Sequence, residues 1–137
     1  MRTKPLSEIT KTICDNLNIC MRVTNTKQDT LAKAIGASRS SMSRFTIGQC
    51  IPKPEQILAI CEFFDISIDE LYGRLDLVIL TNEEKIFYNY IISNNDYLDK
   101  IKKSIDSIDL STDLKRYIKF NIKNNPEELK KLLEQKT

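Results

Sequence analysis

The side chains best suited to chemistry in this chain are Arg39, Ser40, Ser43 and Arg44, with Ser41 beside them. Arginine presents a planar fork of N–H donors that pairs bidentately with guanine O6 and N7, or with a phosphate. Serine is short, and a helix face built from it can come close to another surface. A helix facing only water would more commonly carry Glu and Lys, which are better helix formers. Two readings follow. The Ser/Arg stretch is either the reading face of a nucleic-acid binder or a plain polar face on a helix hairpin.

The flanking residues set how such a face would be held. Residues 26–45 read as two short helices joined by a tight turn at Gly36. Leu31 and Ile35 are four apart and share one face. Ala32 is small enough for a second helix to cross closely. Gly36 stands where the first helix must stop, and glycine accepts the left-handed conformation of that position. Ser38 falls at an N-cap, where its hydroxyl can take an orphan amide of the next helix. Met42 and Phe45 turn back toward the core, which leaves Arg39, Ser40, Ser43 and Arg44 outward.

A loop with Gly48, Pro52 and Pro54 comes next. The spacing of Ile57, Ile60, Cys61 and Phe64 predicts a helix that opens at Pro54. Ser67 and Glu70 form a capping box for another, which Gly73 stops. Charge is unevenly spread. Residues 22–53 hold six basic side chains against the single acid Asp29, a net +5 within a chain whose total is +2. The remainder is therefore acidic on balance, and the positive charge is concentrated beside the Ser/Arg face, as phosphate binding requires.

In this order, the Lys27-Gln28 opening, Leu31-Ala32, Ile35-Gly36, Ser38-Arg39-Ser40, Ser43-Arg44-Phe45, Gly48, Pro52 and Ser67-Ile68-Asp69-Glu70-Leu71 resemble the Cro/CI-type (Xre) helix-turn-helix family of phage repressors and bacterial regulators. The resemblance runs without gaps over residues 9–73. It implies an all-α, five-helix, lambda-repressor-like DNA-binding domain. Helix 1 would run from about Ser7 to Met21, with Ile9, Ile13, Leu17 and Met21 on one stripe. By the same resemblance, Arg39, Ser40, Ser43 and Arg44 would face bases and nearby phosphates. Gln28 would hold a phosphate, and Lys27, Ser38, Ser41, Gln49 and Lys53 would line the DNA backbone. Members often end helix 3 on Glu-Asn-Gly and pair that Glu with an Arg at the end of helix 1. This chain has Thr46-Ile47-Gly48 and Met21 there, so Met21 and Thr46 are expected to replace the ion pair. Such a replacement is tolerable because buried pairs often contribute little net stability.

The domains expected are residues 1–73, the DNA-binding unit, and 74–137, a small helical region for oligomerisation or regulation. Met1–Pro5 is polar and expected to fray. With no apolar signal core and no apolar run near the length of a membrane span, a cytoplasmic location is expected. Cys14, Cys20, Cys50 and Cys61 make no CxxC, and the chain has no His, so no metal or other cofactor is expected. Cys50 lies in a loop, where an exposed, redox-active thiol is the alternative to an incidental one.

In the second half, Thr81 and Glu84 form a capping box ahead of Ile86, Phe87, Tyr90 and Ile91. Asn94-Asn95-Asp96 breaks that helix. Tyr97, Leu98, Ile101, Ile105 and Ile108 mark another. Ser111-Thr112-Asp113 opens a third, with Leu114, Tyr117, Ile118 and Ile122. Asn125 as cap and Pro126 at the first position start the last, which carries Leu129, Leu132 and Leu133. These short amphipathic helices either pair two copies of the chain or extend the first core. Leu75–Leu80 is a candidate dimer contact or hinge.

The resulting expectation is a sequence-specific regulator of transcription, a dimeric repressor of phage or mobile-element type, with double-stranded DNA as partner and no membrane. An antitoxin-like autoregulator, whose C-terminal region grips a partner protein, is the alternative. A protein-interaction module that has kept the fold without DNA binding is a third reading. No catalytic role is expected: without His or a phosphate-cradling glycine loop, no nucleophile–base pair is recognisable.

Overall fold

The computed structural model describes residues 6–105 and 114–135, and these form nine helices. The chain divides into two compact units, Met1–Ile79 and Leu80–Thr137. Expectations about Met1–Pro5, Ile108 and Ser111–Asp113 fall outside the described residues. No described helix is long and apolar enough to cross a membrane.

The first unit holds α1 (Leu6–Val23), α2 (Gln28–Ile35), α3 (Arg39–Thr46), α4 (Pro54–Phe64) and α5 (Ile68–Leu71). Its core takes the stripe expected of α1, with Ile13, Leu17 and Met21 buried and Ile9 packed at its margin. Leu31, Ala32, Ile35, Met42, Phe45, Ile57, Ile60, Cys61 and Phe64 join them there. Gly36 ends α2 at φ +71°, and the Ala37 amide bonds back to the Ala32 carbonyl at 2.9 Å. That left-handed turn sends α3 off directly, and Ser38 caps it.

Helix α1 is tied to α5 and to the end of α3 through asparagines. Asn16 donates to the Glu70 and Leu71 carbonyls, each at 3.0 Å. Asn18 donates to the Thr46 carbonyl at 2.8 Å, and the Cys14 thiol approaches the same oxygen at 3.2 Å. The junction expected to rest on Met21 and Thr46 rests instead on Asn18 and Cys14. Met21 is buried in the core, while the Thr46 carbonyl is the group that must be satisfied at the end of α3. Gly73, at φ +79°, closes α5, and a Cβ there would stand 2.6 Å from the Thr12 methyl.

The first unit runs past Gly73. Glu70 Oε2 accepts the Val78 amide at 2.8 Å, and Leu77 and Ile79 join the first core. Val78, Ile79 and Leu80 are all buried, so of the apolar run only Leu75 is open to solvent. Burial within the chain's own fold removes 78–80 as a free contact surface.

The second unit is built from α6 (Asn82–Ile92), α7 (Asn95–Ser104), α8 (Leu114–Asn124) and α9 (Pro126–Glu134). Leu80, Tyr88, Ile91, Ile101, Ile118, Ile122, Leu129 and Leu133 form its own core. Helix α6 packs on α7 and α8, and α9 packs on both of those. Asn94 caps α7 through two backbone amides, at 3.0 and 3.2 Å. Asn125 precedes α9, but its side chain makes no cap. It donates to Asn121 Oδ1 at 3.1 Å instead, while Pro126 supplies a first position that needs no donor.

Candidate nucleic-acid interface

Helices α2 and α3 pack on each other, with Met42 and Phe45 directed inward. With Met42 and Phe45 buried, the opposite face of this eight-residue helix turns outward, and Arg39, Ser40, Ser43 and Arg44 all stand exposed. Ser41 is half-buried.

The hydroxyl of Ser38 is already in use. It accepts the Ser41 amide at 3.1 Å and lies 3.0 Å from the Ser41 hydroxyl. Ser38 therefore positions the helix N-terminus through its cap, and any phosphate there would meet the amides it leaves open. Arg44 is held along the helix by a 3.4 Å contact from Nε to the Ser40 carbonyl. Arg44, Ser38, Ser41 and Lys53 line one groove of about 390 Å³, together with Cys50 and Gln56. Lys53 precedes α4, and the Gln56 side chain accepts the Lys53 amide at 2.9 Å, which fixes the backbone from which the lysine projects.

Lys27 and Gln49 are exposed and lie outside this groove. Gln28 opens α2, and its amide donates to the Thr46 hydroxyl at 3.3 Å, bridging the two helices of the pair. Ser43 contributes its carbonyl to Thr46 at 2.8 Å and keeps its own side chain outward.

Arg39 is occupied within the chain. Its Nε and Nη2 meet the two carboxylate oxygens of Asp29 at 3.2 and 2.9 Å. This hydrogen-bonded pairing, together with the opposite charge, lowers the Asp29 carboxyl below its ordinary value and raises Arg39 above its own. Sequence reasoning counted Asp29 only as the odd acid in a basic stretch. An acid in the first turn of α2 is ordinary by itself, and only the crossing of α2 and α3 brings it to Arg39.

Cys50 is half-buried, and Cys14, Cys20 and Cys61 are buried; all four are free thiols. Burial, then the charge of Glu70, pushes the Cys61 thiol up to about 11, so it stays protonated as a core group. No cluster among the described residues has the makings of a metal site.

Two helices joined by a left-handed glycine, the second offering arginines and short hydroxyls beside a groove with a lysine, define a helix-turn-helix domain built for DNA. Residues 12–76 match the Cro/C1-type HTH DNA-binding domain. Among curated proteins, 72 residues align at 35% identity with the HTH-type transcriptional activator BcrR of Enterococcus faecalis. The alignment takes in 49% of this chain and 35% of that protein. No solved structure matches the chain.

Proposed function

We propose that this chain is a sequence-specific DNA-binding regulator of transcription, acting as a dimeric repressor of the kind found in phages and mobile elements. The observation that carries the reading is the exposed Arg39, Ser40, Ser43 and Arg44 face on α3, the second helix of the helix-turn-helix pair in a Cro/C1-type domain. In this role α3 enters the major groove. Arg39 and Arg44 meet base edges or adjacent phosphates, and Lys53 meets the backbone. An eight-residue helix spans only a few base pairs, so two copies on half-sites one turn apart would supply the needed specificity. The second unit is the source of pairing in this reading. On α6 it exposes Ile86 (72%) and Tyr90 (57%), one turn apart. A dimer seated over a promoter then excludes polymerase. The role involves no catalysis.

The similarity to a transcriptional activator supports a second reading, activation, in which the same DNA contacts recruit polymerase. Binding of the full chain to its own upstream DNA, over a salt series with random duplex as competitor, tests the common part. Competitor-resistant binding at two chains per site supports it, and no binding at low salt overturns it. Transcription in vitro from the bound promoter then separates the two directions. Failure to bind DNA, together with a stoichiometric co-purifying protein, would favour the antitoxin-like alternative.

A further inference from the structure

Asp29 is the only acid in the basic stretch 22–53, and it stands on the surface that would face DNA phosphates. Its side chain is 57% exposed and that of Arg39 84%. An ion pair so open to water adds little to folding. Its negative charge also weakens attraction to any polyanion. Its geometry is nevertheless two-point. Nε and Nη2 of Arg39 bond separate oxygens, at 3.2 and 2.9 Å, which engages one side edge of the guanidinium. The guanidinium is flat and its five donors are fixed in one plane. With the side edge engaged, the end edge, carrying one hydrogen from each Nη, remains. That edge matches the O6/N7 pair of guanine.

The geometry points to Asp29 as a specificity-determining residue: by gripping the side edge of Arg39 it presents the end edge to a single guanine, giving up sequence-independent affinity for base discrimination. A free arginine on a helix has many rotamers and can turn to the nearest phosphate. A gripped one has fewer to lose on binding and is aimed before contact. Thymine and cytosine offer no matching acceptor pair on that edge, and adenine places a donor where O6 would be. The inference rests on the DNA-binding reading above and adds to it a residue from α2, which makes no base contact itself.

The test begins with selection of bound sequences from random duplex by the full chain. Affinities are then measured for wild type, Asp29→Asn, Arg39→Ala and the double variant. The duplexes are the selected one, one with the Arg39-dependent base pair exchanged, and a random one. Asp29→Asn is expected to tighten binding to random duplex and to cut discrimination at the Arg39-dependent guanine by about fivefold or more. In the Arg39→Ala background the same substitution should leave discrimination unchanged. Both side chains are exposed, so the variants should keep the wild-type thermal melt. A uniform gain on every duplex with discrimination intact would reduce Asp29 to a surface charge and overturn the inference. An Arg39-dependent base other than guanine would overturn it as well. Selection that enriches no sequence would overturn the DNA-binding reading, and this one with it, whereas an enriched site insensitive to Asp29→Asn overturns this one alone.

Discussion

Each unit contains a capping box, and the two boxes are built alike and used differently. In the first, the Ser67 hydroxyl takes the Glu70 amide while Glu70 Oε1 takes the Ser67 amide, both at 3.1 Å. In the second, Thr81 and Glu84 exchange the same bonds at 3.1 and 2.9 Å. Glu70 is 2% exposed, and its other oxygen holds the Val78 amide. Glu84 lies nearer solvent, and its carboxylate holds the Lys123 ammonium at 2.9 Å. One box thus fastens a following strap of chain into a core, and the other ties a helix start to α8. The outer faces diverge in the same way. Helix α3 shows arginine forks and hydroxyls, which suit a polyanion, whereas α6 shows Ile86 and Tyr90, which suit another protein surface. A shared local device therefore says little about role; the third partner and the outward residues carry that information.

The strongest test of this contrast is Glu70→Ala against Glu84→Ala. Without Glu70 the buried Val78 amide and the Ser67 amide lose their acceptor, a cost of about 3 kcal/mol. The first unit should then melt lower by more than about 10 °C. Glu84→Ala removes a cap and a part-exposed pair, about 1 kcal/mol. Equal melting shifts for the two variants would break the comparison.

Next in size is Arg39→Ala, expected to weaken binding to the selected site by about tenfold or more and to relax preference at one base pair. Comparable loss on every duplex would leave Arg39 as a phosphate contact only. Lys53→Ala should weaken binding to all sequences alike and reduce the salt slope by about 1. An unchanged slope would take Lys53 off the backbone. Replacing Ile86 and Tyr90 together with Glu should yield monomers in sedimentation while the first unit's melt stays put; an intact dimer would move the pairing surface elsewhere.

The smallest effect is the response of the second unit to acid. Burial by itself raises the Glu84 carboxyl, but the Thr81 amide and then Lys123 outweigh it, and the net shift is downward. A carboxyl lowered in the folded state contributes stability that is present above its unfolded value and lost as pH falls through the folded one. Urea midpoints of the second unit should therefore begin to drop below about pH 4.3. Glu84→Gln should flatten that response, and an equally steep response in the variant would assign it to another group.

Much of the first unit was legible because its signals are local. The Leu31/Ile35 spacing, Gly36, the Ser38 cap and the Ser67/Glu70 box each act within a few residues, and each appears where the spacing places it. The outward set on α3 was legible for the same reason: helical periodicity assigns faces. The second unit's cap was legible at Thr81, whereas Asn94 reads in the sequence only as a helix break and turns out to cap α7; at Asn125 the expected cap fails, because its side chain finds Asn121 within reach and leaves the amides of α9 alone.

The helices, their stops and the face on which Arg39 and Arg44 stand could be read from the residues alone, because propensity, capping and periodicity are settled by near neighbours. The pairing of Asp29 with Arg39, the hold of Asn18 rather than Met21 on Thr46, and the capture of Val78 by Glu70 emerge from the folded arrangement. Each of these joins separate elements of the fold, and the approach of two elements depends on how cores pack, which no local pattern encodes.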